Sequence, residues 1–285
     1  MSKLIDGKKI AEEILFETAK KVVSLKKKKI SPKLGVVLIG NDASSETYVR
    51  RKQAAAEKIG VEFELHRFKN SVKLSEVIKE IKNIQEKNNL SGLIIQLPVP
   101  EKLYQSELFN AVDPSIDVDC LTDINLGKIV MNTQTIQPPT AGAIMKIFEK
   151  LKIDLVGKNI CIVGMGILVG KPLANLLVNA RASVTTCNSK TKNFKQKCLA
   201  ADIIVSGVGK KNLIRGNMIK NGAVVIDAGT NFVEGKISGD VNTNEVIKRA
   251  KYVTPTPGGV GPITVAMLLY NTVVCAENKT KKALI

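Results

Sequence analysis

Tyr48 and Lys52 stand four residues apart in Ser44-Ser45-Glu46-Thr47-Tyr48-Val49-Arg50-Arg51-Lys52, a spacing that on a helix stacks a phenol and an amine on one face. Such a face can hold a substrate ring and a proton carrier side by side. On an amphipathic helix the same spacing more often marks a half-buried ring and a solvated charge, so the pair gains meaning only from its company. Downstream, Gln96-Leu97-Pro98-Val99-Pro100 ends an apolar run. Ligands gather at the carboxyl ends of parallel strands, which aims Gln96 into a site. Asp117-Val118-Asp119-Cys120 places two carboxylates on one face if the segment is extended, although either also reads as a surface acid.

Further along, Asn159-Ile160-Cys161-Ile162-Val163 reads as a buried strand running into Gly164-Met165-Gly166-Ile167-Leu168-Val169-Gly170-Lys171-Pro172, a glycine turn that opens a helix. Gly164 permits a tight turn, small residues let backbone amides approach a pyrophosphate, and the helix N-terminus favours negative charge. The spacing is G-x-G-x-x-x-G rather than the usual form, and a plain tight turn is the alternative. Short-chain dehydrogenases place their Tyr-x-x-x-Lys pair after such a turn; here the pair precedes it, which argues against that use. The next strand runs into Cys187-Asn188-Ser189-Lys190-Thr191 without the carboxylate that holds an NAD ribose. Its hydroxyls and Lys190 suit a 2′-phosphate, or form an ordinary polar loop.

Composition narrows the classes. The chain has 285 residues, 44% apolar and 24% charged, as expected of a globular, soluble protein of two domains. The N-terminus carries no apolar core of signal-peptide length and no stretch approaches about 18 uninterrupted apolar residues, so a cytoplasmic location and no membrane span are expected. Five scattered cysteines without a C-x-x-C pair and a single histidine, His66, make a metal site or a disulfide framework a poor expectation. His66 falls in an alternating run and reads as a strand surface residue. The formal charge of +17 implies an anionic partner or simply solubility. Much of it lies in Lys26, Lys27, Lys28, Lys29, Lys279, Lys281 and Lys282, which read as solvated helix faces or a frayed terminus. With four Tyr, seven Phe and no Trp, little is available for base stacking, and no nucleic-acid partner is expected.

These side chains need a scaffold. Helical periodicity covers residues 5–25, 44–59 (stopped by Gly60) and 74–87; strands are expected at 34–40, 61–68 and 92–97. The pattern breaks over 125–140, and a helix at about 141–152 leads out of the break. A second series follows: strands 159–163, 183–187, 203–206 and 223–227, helices 171–179 and 193–200, and a last apolar helix, 264–276. Alternation of strand and helix predicts an α/β fold with parallel sheets.

Taken together, these motifs resemble one family, the bifunctional methylenetetrahydrofolate dehydrogenases and methenyltetrahydrofolate cyclohydrolases. The likeness runs over essentially the whole chain: Tyr48-x-x-x-Lys52, Gly92 to Pro100, Asp117-Val118-Asp119, Val163-Gly164 with Val169-Gly170-Lys171-Pro172, and Thr256-Pro257-Gly258-Gly259-Val260-Gly261-Pro262-Ile263-Thr264. The resemblance implies two α/β domains, a folate domain over 1–140 completed by 262–285 and a Rossmann NAD(P)-binding domain over 141–261. It also implies a homodimer working in one-carbon metabolism on tetrahydrofolate derivatives, with or without polyglutamate tails; whether the lysine runs meet such tails is left open by the sequence.

By the same resemblance Lys52 is the acid–base group, Gln96 its hydrogen-bonding partner, Tyr48 the stacking platform and Asp119 the pterin-binding carboxylate. Leu97, Pro98, Pro257, Gly258, Gly259 and Pro262 line the folate site. Gly164, Met165, Gly166, Val169, Gly170, Pro172, Asn188, Ser189, Lys190, Thr191, Gly207, Val208, Gly209, Asp227, Gly229, Thr230, Asp240, Val241, Gly259 and Thr264 bind NADP. An unperturbed lysine is a poor base near neutrality; burial against Tyr48, a bound methenyl cation and Arg50 or Arg51 would lower its pKa. The chain departs from the family at Met165 and Gly166, where a cation and a hydroxyl are usual, which leaves NAD open beside NADP. Cys120 replaces the usual Gly, and Gln137-Pro138-Pro139-Thr140-Ala141 replaces a Pro-Cys-Thr-Pro pattern. A shikimate-type dehydrogenase and a basic nucleotide-binding protein are the rival readings; neither explains Tyr48, Lys52, Gln96 and Asp119 as a set.

Overall fold

The structure, a computed structural model, describes residues 3–233 and 236–283. In chain order its elements are β1 (Lys3–Leu4), α1 (Gly7–Lys27), β2 (Lys33–Ile39), α2 (Ala43–Ile59), β3 (Glu62–Phe68), α3 (Leu74–Lys87), β4 (Gly92–Ile95), α4 (Ser106–Phe109), α5 (Asp123–Val130), α6 (Pro139–Lys150), β5 (Asn159–Val163), α7 (Gly170–Asn179), β6 (Ser183–Cys187), α8 (Phe194–Ala200), β7 (Ile203–Ser206), β8 (Val224–Asp227), β9 (Asn231–Val233), β10 (Lys236–Ser238), α9 (Thr243–Val246), β11 (Tyr252–Val253) and α10 (Val260–Ala283). The chain divides into two compact units: Glu12–Lys128 with Gln134–Pro139 and Val265–Ile285, and Met1–Ala11 with Ile129–Thr133 and Thr140–Thr264.

The first unit is built on a parallel three-stranded sheet, order β3-β2-β4. β2 is a continuous apolar run because both its faces are covered; Leu34, Val36, Val37 and Leu38 are fully buried. α3 contributes Val77, Ile81 and Ile84, one stripe at helical spacing. Because β2 is flanked by β3 on one side and β4 on the other, the strand order reverses between β2 and β4, and the crevice at their carboxyl ends is where such sheets bind ligands. α10 closes this unit: the buried Asn271 amide donates to Val118 O at 2.9 Å and Gln137 O at 2.7 Å. Its stretch Val260–Lys279 is long and apolar enough to cross a membrane by length and composition, but most of it is buried inside the protein.

The second unit carries a parallel six-stranded sheet, order β1-β11-β8-β7-β5-β6, with a β9–β10 hairpin beside it. Order reverses between β5 and β7, again at one crevice. Cys161, Cys187 and Cys198 are core residues packed with Ile204, Val225 and Val253, and act as small hydrophobes. Burial pushes the Cys187 thiol up to about 11.

Several expectations are corrected. The N-terminal segment does not belong with residues 12–128: β1 pairs with β11 and extends the six-stranded sheet. The segment 117–119 is not a strand. Asp117 makes an isolated bridge to Leu93, the chain then turns, and Cys120 takes a left-handed φ of 55°, so the two carboxylates do not share a strand face. His66 lies on β3 with most of its ring covered, its Nε2 3.5 Å from Glu64. Lys279 is half-buried and donates to Leu90 O at 2.5 Å, while the side chains of Lys281 and Lys282 lie outside the described residues.

Candidate active site

α2 positions the first pair. Asp42 caps it, accepting from Ser45 N at 2.7 Å and Ser45 Oγ at 2.9 Å, and Gly60 ends it in a left-handed conformation with φ of 79°. The helix buries Ser45, Val49, Ala56 and Ile59 and leaves Tyr48 and Lys52 half-buried beside that face. Lys52 Nζ donates to Gln96 Oε1 at 2.9 Å. Gln96 follows directly on β4; its backbone N donates to Val37 O at 2.8 Å and its own Nε2 to Leu97 O at 2.6 Å. With the amide nitrogen committed to a carbonyl, only the amide oxygen can face the lysine, so the orientation of Gln96 follows from its partners. The Leu97–Pro98 peptide bond is cis.

Two effects act on Lys52: burial lowers its pKa, and the Asp119 carboxylate raises it. Arg50 and Arg51, expected to contribute, are not among the causes. Arg50 lies 3.5 Å from Thr47 Oγ1, and the Arg51 guanidinium sits 5.9 Å from the centre of the Tyr48 ring. Asp119 is pushed up to about 6, first by burial and also by Asp117, with Lys52 pulling the other way. Its neighbour has a different task. Asp117 is buried and accepts from Leu121 N at 3.2 Å, Thr122 N at 2.9 Å and Asn125 Nδ2 at 3.1 Å, which fixes the turn that presents Asp119.

In the six-stranded unit, the cofactor residues of the sequence fall at the carboxyl ends of parallel strands: Gly164 to Gly170 after β5, Asn188 to Thr191 after β6, Gly207 to Gly209 after β7, Gly229 and Thr230 after β8. Gly164 has φ of 95°, and a Cβ there would stand 2.7 Å from Gly207 O; a Cβ on Gly170 would run into Gly164 O. Beside Gly166, by contrast, a Cβ would meet nothing, so the turn is closed against its own sheet and open outward, which fits a dinucleotide pyrophosphate. The extra residue of the motif is absorbed in the turn before Gly170, with Pro172 in the first turn of α7. Asn188 Oδ1 accepts from Lys190 N and Thr191 Oγ1 from Asn188 N, which orders the loop and leaves Ser189 and Lys190 exposed.

Three residues expected to touch the cofactor are otherwise engaged. Asp227 and Asp240 spend their oxygens on backbone N–H groups and Ser206, and Val241 is core. Pro257, Gly258, Gly259, Pro262 and Thr264 belong with the six-stranded unit, where Gly7 N donates to Gly258 O at 3.1 Å and Thr264 Oγ1 to Val260 O at 3.2 Å. Ser206 is a site residue that the sequence motifs do not single out. The signal for Ser206 was available, a hydroxyl closing the otherwise apolar strand Ile203-Ile204-Val205.

A glycine turn at the switch point of one parallel sheet, together with a separate α/β unit holding a half-buried lysine against an amide and within the field of a carboxylate, defines a two-domain dinucleotide-dependent enzyme. The family models for tetrahydrofolate dehydrogenase/cyclohydrolase match it in both parts, the catalytic domain over residues 5–119 and the NAD(P)-binding domain over 138–280. The chain belongs to the tetrahydrofolate dehydrogenase/cyclohydrolase family. It is 46% identical to the bifunctional protein FolD of Nautilia profundicola over 98% of this chain and 99% of that one. Among solved structures it is similar to FolD methylenetetrahydrofolate dehydrogenase/cyclohydrolase from Campylobacter jejuni (37% identity, TM-score 0.95, 98% and 100% coverage). It is also similar to the Trypanosoma brucei enzyme complexed with NADP cofactor and inhibitor (34% identity, TM-score 0.94, 98% of each chain).

Proposed function

We propose that this enzyme oxidises 5,10-methylenetetrahydrofolate to the 5,10-methenyl form with NADP and hydrolyses that product to 10-formyltetrahydrofolate. The observation that carries the reading is the Lys52 Nζ to Gln96 Oε1 hydrogen bond of 2.9 Å at the carboxyl end of β4, with Asp119 electrostatically coupled to the same amine. NADP, when bound, accepts the hydride; that step asks the protein for alignment more than for a base. The hydrolytic step needs water added at the methenyl carbon and a proton delivered to the departing ring nitrogen. Lys52 suits both transfers because burial brings its pKa down toward the working range, while the bond to Gln96 leaves the amine one fixed donor and a directed lone pair. Asp119 presents two oxygens to an N–H pair on the pterin, and Tyr48 offers its ring for stacking.

NADP rather than NAD is supported by Ser189 and Lys190, both exposed at the end of β6, where no carboxylate stands. Met165 and Gly166 supply neither cation nor hydroxyl, so the preference rests on the β6 loop. We place the enzyme in the cytoplasm as a homodimer. In support of the dimer, β6 is an edge strand with Ser183, Thr185 and Thr186 exposed, and Val178 on neighbouring α7 is 57% exposed. Purified protein incubated with methylenetetrahydrofolate is expected to reduce NADP faster than NAD and then to consume the methenyl intermediate, the reduced nucleotide and the intermediate being followed separately by absorbance. Lack of turnover with both nucleotides would overturn the reading, and light scattering of the same sample tests the dimer.

A further inference from the structure

We propose that Asp240 and Asp227 are positioning residues: a two-carboxylate clamp beneath the sheet's carboxyl edge that sets the loops after β7 and β8 for the cofactor without touching it. Asp240 is fully buried. Its Oδ2 accepts from Ser206 Oγ and Val208 N, and its Oδ1 from Lys210 N, all at 2.7 Å. Asp227, also buried, holds Asp240 in turn: its Oδ1 accepts from Asp240 N and Gly229 N, and its Oδ2 from Val241 N, all at 3.0 Å. The two therefore form a series in which the end of β8 fixes the backbone of residue 240, and residue 240 fixes the loop after β7.

No cation appears among these partners, and the two like charges repel. Two stacked carboxylates in a core are a poor source of net stability; what their hydrogen bonds supply is orientation. The surrounding backbone is shaped to admit them. A Cβ on Gly229 would run into the Asp240 carboxylate, and one on Gly239 into the Asp227 carboxylate. With its N–H held from below, Val208 turns its side chain out, 48% exposed, and its Cγ2 lies 3.0 Å from where a Gly164 Cβ would stand. The clamp thus sets the wall facing the pyrophosphate turn across the β5–β7 crevice.

The proposal rests on the cofactor reading above, and the test separates the two. Isothermal titration of the full chain with NADP, and the kinetics of both activities, would be compared for the unsubstituted protein, Asp240→Asn and Ser206→Ala. Asp240→Asn keeps the shape but turns one acceptor into a donor facing an N–H. It is expected to raise the NADP Kd and KM about tenfold or more, with hydrolysis of methenyltetrahydrofolate unchanged and dehydrogenase kcat at saturating NADP retained. Ser206→Ala removes one hydrogen bond and is expected to raise Kd roughly threefold; it decides the matter if the first variant does not fold. A folded variant whose NADP Kd stays within twofold would overturn the clamp, as would equal loss of both kcat values at unchanged Kd, the mark of mere destabilisation. Failure of the unsubstituted chain to bind NADP or NAD would instead remove the cofactor reading, and the clamp with it.

Discussion

At Lys52 burial and a neighbouring carboxylate act in opposite directions, and the geometry says which group to change to read each. Burial lowers the pKa of the amine; Asp119 raises it. Asp119→Asn removes the raising charge, so the pKa of Lys52 falls further and the limb of the hydrolytic pH profile set by Lys52 moves to lower pH. Measuring kcat for methenyltetrahydrofolate hydrolysis against pH at saturating substrate checks this; a limb that stays or moves up would show that Asp119 does not act on Lys52. Lys52→Met takes away the proton carrier and leaves the other unit untouched. Hydrolysis is expected to fall by about two to four orders of magnitude while NADP affinity, measured by titration, is unchanged.

At the scale of elements, α2 and α10 carry the site, and each is anchored by an identifiable contact. Asp42→Ala removes both bonds to Ser45 and is expected to cost about 1 kcal/mol in urea unfolding. Asn271→Ala strands the buried carbonyl of Val118, next to Asp119, and the partly buried one of Gln137. It is expected to cost roughly 1–3 kcal/mol in the same measurement and to raise the folate KM. Elements with several turns of clean periodicity were legible in the chain: residues 74–87 are α3 to the residue, and Gly60 does stop α2. β1 and β11, two residues each, are too short to show any period, and α4 and α5 hide among turn residues. The extended reading of Asp117 and Asp119 failed because alternation in sequence does not reveal that Cys120 adopts a left-handed turn. Asp227 and Asp240 come from the family resemblance alone, and which way their oxygens face depends on loops far apart in sequence.

For the whole molecule, the charge of +17 acts at a distance that either family activity alone does not require. If the lysine runs meet polyglutamate tails, raising the salt from about 0.05 to about 0.5 M should raise KM for a pentaglutamylated folate well above its effect on the monoglutamate, since screening shortens the reach of exposed charges to a few ångströms. Equal responses would confine the lysines to solubility. The discontinuity of the first unit has a consequence for how the protein is made. Residues 12–128 leave the ribosome early, yet their unit is completed only by the segment from Val265 onward, after residue 264 has already completed the other. The unit whose main segment is made first is finished last. The nascent chain must therefore hold an apolar trough open for α10 through the synthesis of nearly half its length, and a ribosome stalled before that helix would display the surface chaperones recognise.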